Sequence, residues 1–156
     1  MLQRIQSLYF LLASLALYAL FFFPLVHNIY TFDYQPVTIM ISGIYQDING
    51  QMLHTQVFTG LTIAAGIVSA IPLALIFLYK NRKQQLLLSY VNMLVVFAFT
   101  FFMAQQVKQI MGTKQIDSKN VGIGIFLSTI SLVFIVLAIK AIQRDEKLIK
   151  SADRLR

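Results

Sequence analysis

Few side chains in this sequence could do chemistry. His27 and His54, with Asp33 and Asp47, fall in one polar stretch between two apolar runs. Imidazole and carboxylate are suitable donors for zinc, and imidazole for haem iron. None of these residues has metal-motif spacing, so His27 and His54 are weak metal candidates, set against a plainer reading as interfacial histidines. Cysteine is absent, which excludes thiolate sites, thiol nucleophiles and disulfides. No Gly-x-Ser-x-Gly elbow presents a nucleophilic serine. Gly122 and Gly124 are followed by neither a third glycine nor a Lys-Ser/Thr pair, so they do not form a nucleotide loop. Asn92 is the one amide well inside an apolar run, where it reads as interhelical glue rather than as part of a pathway. We therefore expect no catalytic residue, no cofactor and no enzyme.

The elements around these residues are apolar and long. Of 156 residues, 58% are hydrophobic and 12% charged, against roughly half and a quarter in a soluble domain. At about 20 residues per span, the chain accommodates four spans, at about 7–26, 57–79, 86–107 and 121–139. The first is longer than a signal-peptide core, and its Phe21-Phe22-Phe23-Pro24 exit has no small-x-small cleavage site, so it reads as an uncleaved anchor. The second carries small residues four apart, Gly60 with Ala64, Ala65 with Ser69 and Gly66 with Ala70, a pattern that lets helices approach closely. Gly124 with Ser128 repeats it in the fourth. Pro72 is expected to kink span 2. No span has an Asp, Glu, Lys or Arg in its middle, which argues against an ion-coupled transporter.

Between spans 1 and 2, the loop 27–56 contains Asn49-Gly50 flanked by the β-branched and aromatic segments 38–48 and 51–57. That arrangement predicts a β-hairpin with a type I′ turn. Residues 140–156 continue the last helix, with Ala141, Leu148, Ala152 and Leu155 on one face and Glu146 paired with Lys150. The fold class expected is an all-α membrane protein, a single domain over 1–156. It consists of four transmembrane helices in an antiparallel bundle, a small outer β-hairpin and a cytosolic helical extension.

Charge sets the orientation. An even number of spans puts Arg4, Lys80, Arg82, Lys83, Lys140, Arg144, Lys147, Lys150, Arg154 and Arg156 on one side, ten of the thirteen basic residues. Lys108, Lys114 and Lys119 lie on the other. By the positive-inside rule the ten face the cytoplasm, and the formal charge of +7 is a matter of topology and lipid headgroups, not of nucleic acid.

The opening Met1-Leu2-Gln3-Arg4-Ile5-Gln6-Ser7-Leu8-Tyr9, the turn Arg82-Lys83-Gln84-Gln85-Leu86 and the close from Arg144 to Arg156 resemble a family of small four-span membrane proteins from Bacteroidota, a domain of unknown function. The resemblance covers the whole chain and implies a bacterial inner membrane. It brings no activity with it. The partners expected are the lipid bilayer and other subunits of a membrane complex, with Arg4, Lys80, Arg82, Lys83, Arg144, Lys147, Lys150, Arg154 and Arg156 as the partner- or headgroup-binding set. The leading expectation is a non-enzymatic accessory or scaffold subunit. The alternative is a binding or transport module for a lipid or quinone-like molecule held near Pro72 and Asn92.

Overall fold

A computed structural model of the chain describes residues 3–30, 36–48, 51–111 and 120–153. In chain order the elements are α1 (Gln3–Ala19), β1 (Val26–Tyr30), β2 (Pro36–Met40), β3 (Gly43–Ile48), β4 (Gln51–Val57), α2 (Thr59–Phe77), a 3-10 turn (Leu78–Lys80), α3 (Arg82–Met111) and α4 (Ile123–Asp153). α1 packs against α2 and α4, and α3 packs against the same two helices.

Three helical stretches, Thr59–Phe77, Arg82–Met111 and Ile123–Leu148, are long and apolar enough to cross a membrane. Only 33%, 28% and 33% of their most apolar windows is buried within the chain. The remainder is an apolar surface that water would not support, which is the signature of a membrane protein. α1 is shorter. Its 17 residues span about 26 Å at 1.5 Å per residue, against a hydrocarbon core of about 30 Å.

The first predicted span, 7–26, is corrected at its end. Phe22 and Phe23 still donate backbone hydrogen bonds to Ala19 O, at 3.0 and 3.2 Å. Pro24 then ends the helical path, because it has no N–H and disfavours the α conformation at the residue before it. Val26 already belongs to β1, opposite Ile39. α2 runs through Pro72, which is buried. α3 and α4 exceed the predicted spans, at 30 and 31 residues. Each is about 45 Å long by helical rise, and so projects beyond a bilayer core.

The expected hairpin is half of what forms. The strands make one antiparallel sheet in the order β1-β2-β3-β4, and the β3–β4 pairing, with Ile48 opposite Gln51, is the predicted hairpin. Its Asn49-Gly50 turn lies outside the described residues. The additional turn is Ile41-Ser42, where Met40 opposes Gly43. Ile-Ser is not among the favoured two-residue hairpin loops, although Ser42-Gly43 is a general turn dipeptide. Gly43 is needed there: a Cβ on it would lie 2.0 Å from Gln56 O and 2.3 Å from His54 Nε2.

Sheet and helices share one core. Leu25, Val26, Ile39 and Ile41 pack with Leu61, Val107 and Met111 of the helix ends. Three polar contacts hold the junction. Phe58 N–H donates to Ser42 O at 2.9 Å, Thr62 Oγ1 donates to Ile41 O at 3.2 Å, and Gly122 N–H donates to Leu25 O at 2.8 Å. An isolated hairpin is marginal in water. Here the helix ends supply the apolar face that stabilises it.

Candidate functional site

The opposite end of the helices gathers most of the charge. There the start of α1, the 3-10 turn between α2 and α3, and the last turns of α4 meet over a small apolar cluster of Phe10, Leu75, Ala138 and Ile142. Three side-chain hydrogen bonds pin the register. Gln6 Nε2 donates to Asp145 Oδ2, buried between α1 and α4. Gln85 Nε2 donates to Leu75 O at 3.0 Å, linking α3 to α2, and Gln143 Nε2 donates to Tyr90 OH at 2.7 Å, linking α4 to α3. The first two are buried, and each satisfies a polar group that would otherwise be costly to bury; the third is exposed.

Those of the predicted basic residues that are described therefore lie at one end of the molecule. Lys83, Arg144 and Lys147 are exposed and Arg82 is half-buried. Arg4 lies in the first turn of α1, Lys80 closes the 3-10 turn and Lys150 is in the last turns of α4. Arg154 and Arg156 lie outside the described residues, as do Lys114 and Lys119 of the far loop. The tail departs from its predicted face. α4 continues unbroken to Asp153, but Ala138, Ile142 and Asp145 turn inward, while Leu148 is 50% exposed. The tail's inner face is thus partly used by the protein itself. Asp145 is the residue the sequence reading missed. It falls three residues after Ile142 and seven after Ala138, an acid on an apolar stripe, and that spacing was the available signal.

Midway along the helices is a polar layer. Ser14 Oγ donates to Ser69 O at 2.7 Å, joining α1 to α2. The Gln85–Leu75 contact puts Asn92, two helical turns further along α3, level with Val68, whose carbonyl Pro72 leaves without its helical donor. Asn92 is 1% exposed, and neither amide atom has a hydrogen-bond partner among the described residues. The expected interhelical hydrogen bond of Asn92 is not formed.

The small-residue pattern is also redistributed. A Cβ on Gly60 or Gly66 would meet nothing within 4 Å, and Gly60 and Ala70 are exposed. Neither the Gly60–Ala64 pair nor the Gly66–Ala70 pair is a site of close helix approach. The packed stripe of α2 runs through Leu61, Ala65, Val68, Ser69, Pro72 and Leu75, with Ala64 at its margin. Gly124 and Ser128 are both buried. Gly124, with Gly122, is small for another reason. A Cβ on Gly122 would lie 2.1 Å from Pro24 O, and one on Gly124 2.8 Å from the same atom. The backbone leaving α1 crosses the backbone entering α4.

The sheet separates the two histidines. His27 is on β1 and His54 on β4, the opposite edges of four strands, so about 14 Å of sheet lies between their positions. They cannot hold one ion together. His54 stacks on Tyr45 with ring centroids 4.4 Å apart, and the Tyr45 hydroxyl is 3.0 Å from Ser42 Oγ. Cross-strand stacking accounts for it. Asp33 lies outside the described residues, and among those described no three His, Cys, Asp or Glu residues are grouped to hold a metal.

A family model described as a domain of unknown function, DUF4293, matches residues 2–155. No curated protein matches the chain.

Proposed function

We propose that this chain, which belongs to the DUF4293 family, is a non-enzymatic accessory or scaffold subunit of a larger complex in a bacterial inner membrane. In this reading α1 with its terminal turn spans the membrane alongside the three longer helices, making a four-span bundle with both ends of the chain in the cytoplasm. The sheet then caps the outer ends of the helices. The observation that carries the reading is the convergence of the α1 start, the α2–α3 turn and the α4 end on one basic surface. Arg82, Lys83 and Lys147 present cations where a partner with an acidic surface would dock. The positive-inside rule puts the same surface in the cytoplasm.

Affinity purification from native membranes in mild detergent tests this reading. A stoichiometric companion is expected, and R82E/K83E should release it while the topology holds. Recovery of the wild-type chain only as a free monomer overturns the accessory role.

A second reading, a site for a lipid or quinone-like molecule beside Pro72, is favoured by the unpartnered buried amide of Asn92, a group able to bond a carbonyl or hydroxyl. Native mass spectrometry of the purified protein checks it. The expected result is a retained small molecule that N92L loses. No retained molecule in the wild type sinks the reading.

A further inference from the structure

At the basic end an open groove of about 270 Å³ lies between α1 and α4. Lys140 and Arg144 line it, four residues apart and both exposed. Like charges one helical turn apart repel, and neither cation forms an ion pair with a described residue. Asp145 also lines the groove, but it is buried and accepts the hydrogen bond from Gln6. The formal charge of the lining is therefore +1.

The walls are apolar. Leu137 and Ala141 on α4 face Ile5 and Tyr9 on α1 across the groove. The face of α4 that carries the two cations continues through Val133, Ile130 and Phe126, all exposed, at steps of four, three and four residues from Leu137. This is an apolar track leading away from a pair of cations towards the middle of the helices.

We infer that the groove binds the phosphodiester of an anionic membrane phospholipid. The phosphate sits between Lys140 and the Arg144 guanidinium, and an acyl chain lies along Leu137, Val133 and Ile130. A phosphodiester carries one negative charge, which closes the +1 of the lining. An inorganic phosphate dianion would leave the groove negative, and a zwitterionic headgroup would bring a further cation to a place that already holds two. Arg supplies a planar fork matched to two phosphate oxygens, and Lys a compact point charge. The Tyr9 phenol is a further donor at the headgroup level, where Tyr is favoured. At about 30 Å³ per water, the volume corresponds to a headgroup rather than to whole acyl chains, which remain on the outer face of α4. The inference rests on the proposed membrane placement of this end of the helices, but not on any protein partner.

The test uses the full-length chain, delipidated in nonionic detergent and offered a 1:1 mixture of phosphatidylglycerol and phosphatidylethanolamine. Native mass spectrometry then reads the lipid-bound fractions. The wild type should retain phosphatidylglycerol in preference, and K140Q/R144Q should lose roughly tenfold in that binding. K108Q, which removes a cation from the other end of the helices, should leave binding unchanged. A141F fills the groove with both cations intact and should also lose the lipid.

Three results overturn the inference. One is equal retention by K140Q/R144Q and wild type, another is equal retention of the two lipids by wild type. The third is displacement of phosphatidylglycerol by millimolar sodium phosphate, which would make the groove a site for free phosphate. The companion-release experiment with R82E/K83E leaves Lys140 and Arg144 intact and reads a protein companion rather than a bound lipid, so the partner reading and this one fail separately.

Discussion

Replacing Gln6 by leucine would leave the Asp145 carboxylate between α1 and α4 without the amide that now donates to it. Gln6 is 5% exposed and Asp145 6%, so water does not readily take the amide's place. A hydrogen bond to a charged group contributes about 1.5–3 kcal/mol, and an unsatisfied buried partner costs at least as much. We expect Q6L to destabilise the protein by about 2 kcal/mol, which for a chain of this size corresponds to about 4–8 °C in Tm. D145L leaves a neutral amide unsatisfied instead, a smaller penalty of about 1–2 kcal/mol. The double variant Q6L/D145L removes both groups and supplies apolar volume to a seam already lined by Phe10 and Ile142. Its cost should fall below that of Q6L alone, since replacing a buried polar pair with well-packed apolar residues is often neutral or stabilising. Thermal unfolding in detergent micelles, followed by far-UV circular dichroism, measures all three, with Q109L as an exposed control. The reasoning is refuted if the double variant is as unstable as the sum of the singles, because the two groups then do not satisfy one another. A Q6L no less stable than Q109L would refute it as well.

Two glycine substitutions should have opposite signs. G66A, in mid-helix with open space at its Cβ position, should stabilise by about 0.5–1 kcal/mol. G122A, with its Cβ 2.1 Å from Pro24 O, should separate the α1 exit from the α4 entry and lower Tm sharply. Equal melting temperatures for the two would show that the backbone crossing is not as close as described. N92L replaces an unpartnered buried amide with an apolar side chain and should raise stability by about 1 kcal/mol in ligand-free protein. A clear loss on thermal unfolding would mean that the amide has a structural partner.

Much of this architecture was legible in the sequence, because one rule governs long apolar runs: they must become helices to satisfy their own backbone. α2, α3 and α4 follow from run length and punctuation. The Asn49-Gly50 hairpin follows because the β3–β4 pairing is local and turn-encoded. The Ile41-Ser42 turn was missed although Ser42-Gly43 is a turn dipeptide, because it lies inside a β-branched and aromatic stretch that reads as one strand. Gly43 is required there by Gln56 and His54 of β4, a close approach that exists only once the β3–β4 register has formed. Of the small-residue pairs of α2, Ala65 with Ser69 lies on the packed stripe, but the two glycine pairs illustrate the opposite error. Spacing identifies which residues share a face, but not which face meets a neighbour, and Gly60 and Gly66 lie where no neighbour comes.

What the sequence determined by itself is an apolar chain with its basic residues at run ends. Those are properties of composition and order, which no packing can change. The tertiary structure decided which polar groups meet. Gln6 and Asp145 are 139 residues apart in sequence and neither is unusual alone. Only antiparallel packing of α1 on α4 makes them a buried pair and opens beside them the groove of Lys140 and Arg144. Likewise, only the strand order puts His27 and His54 on opposite edges. Contacts between distant segments depend on register and on the face each element turns inward, and single-chain periodicity contains neither.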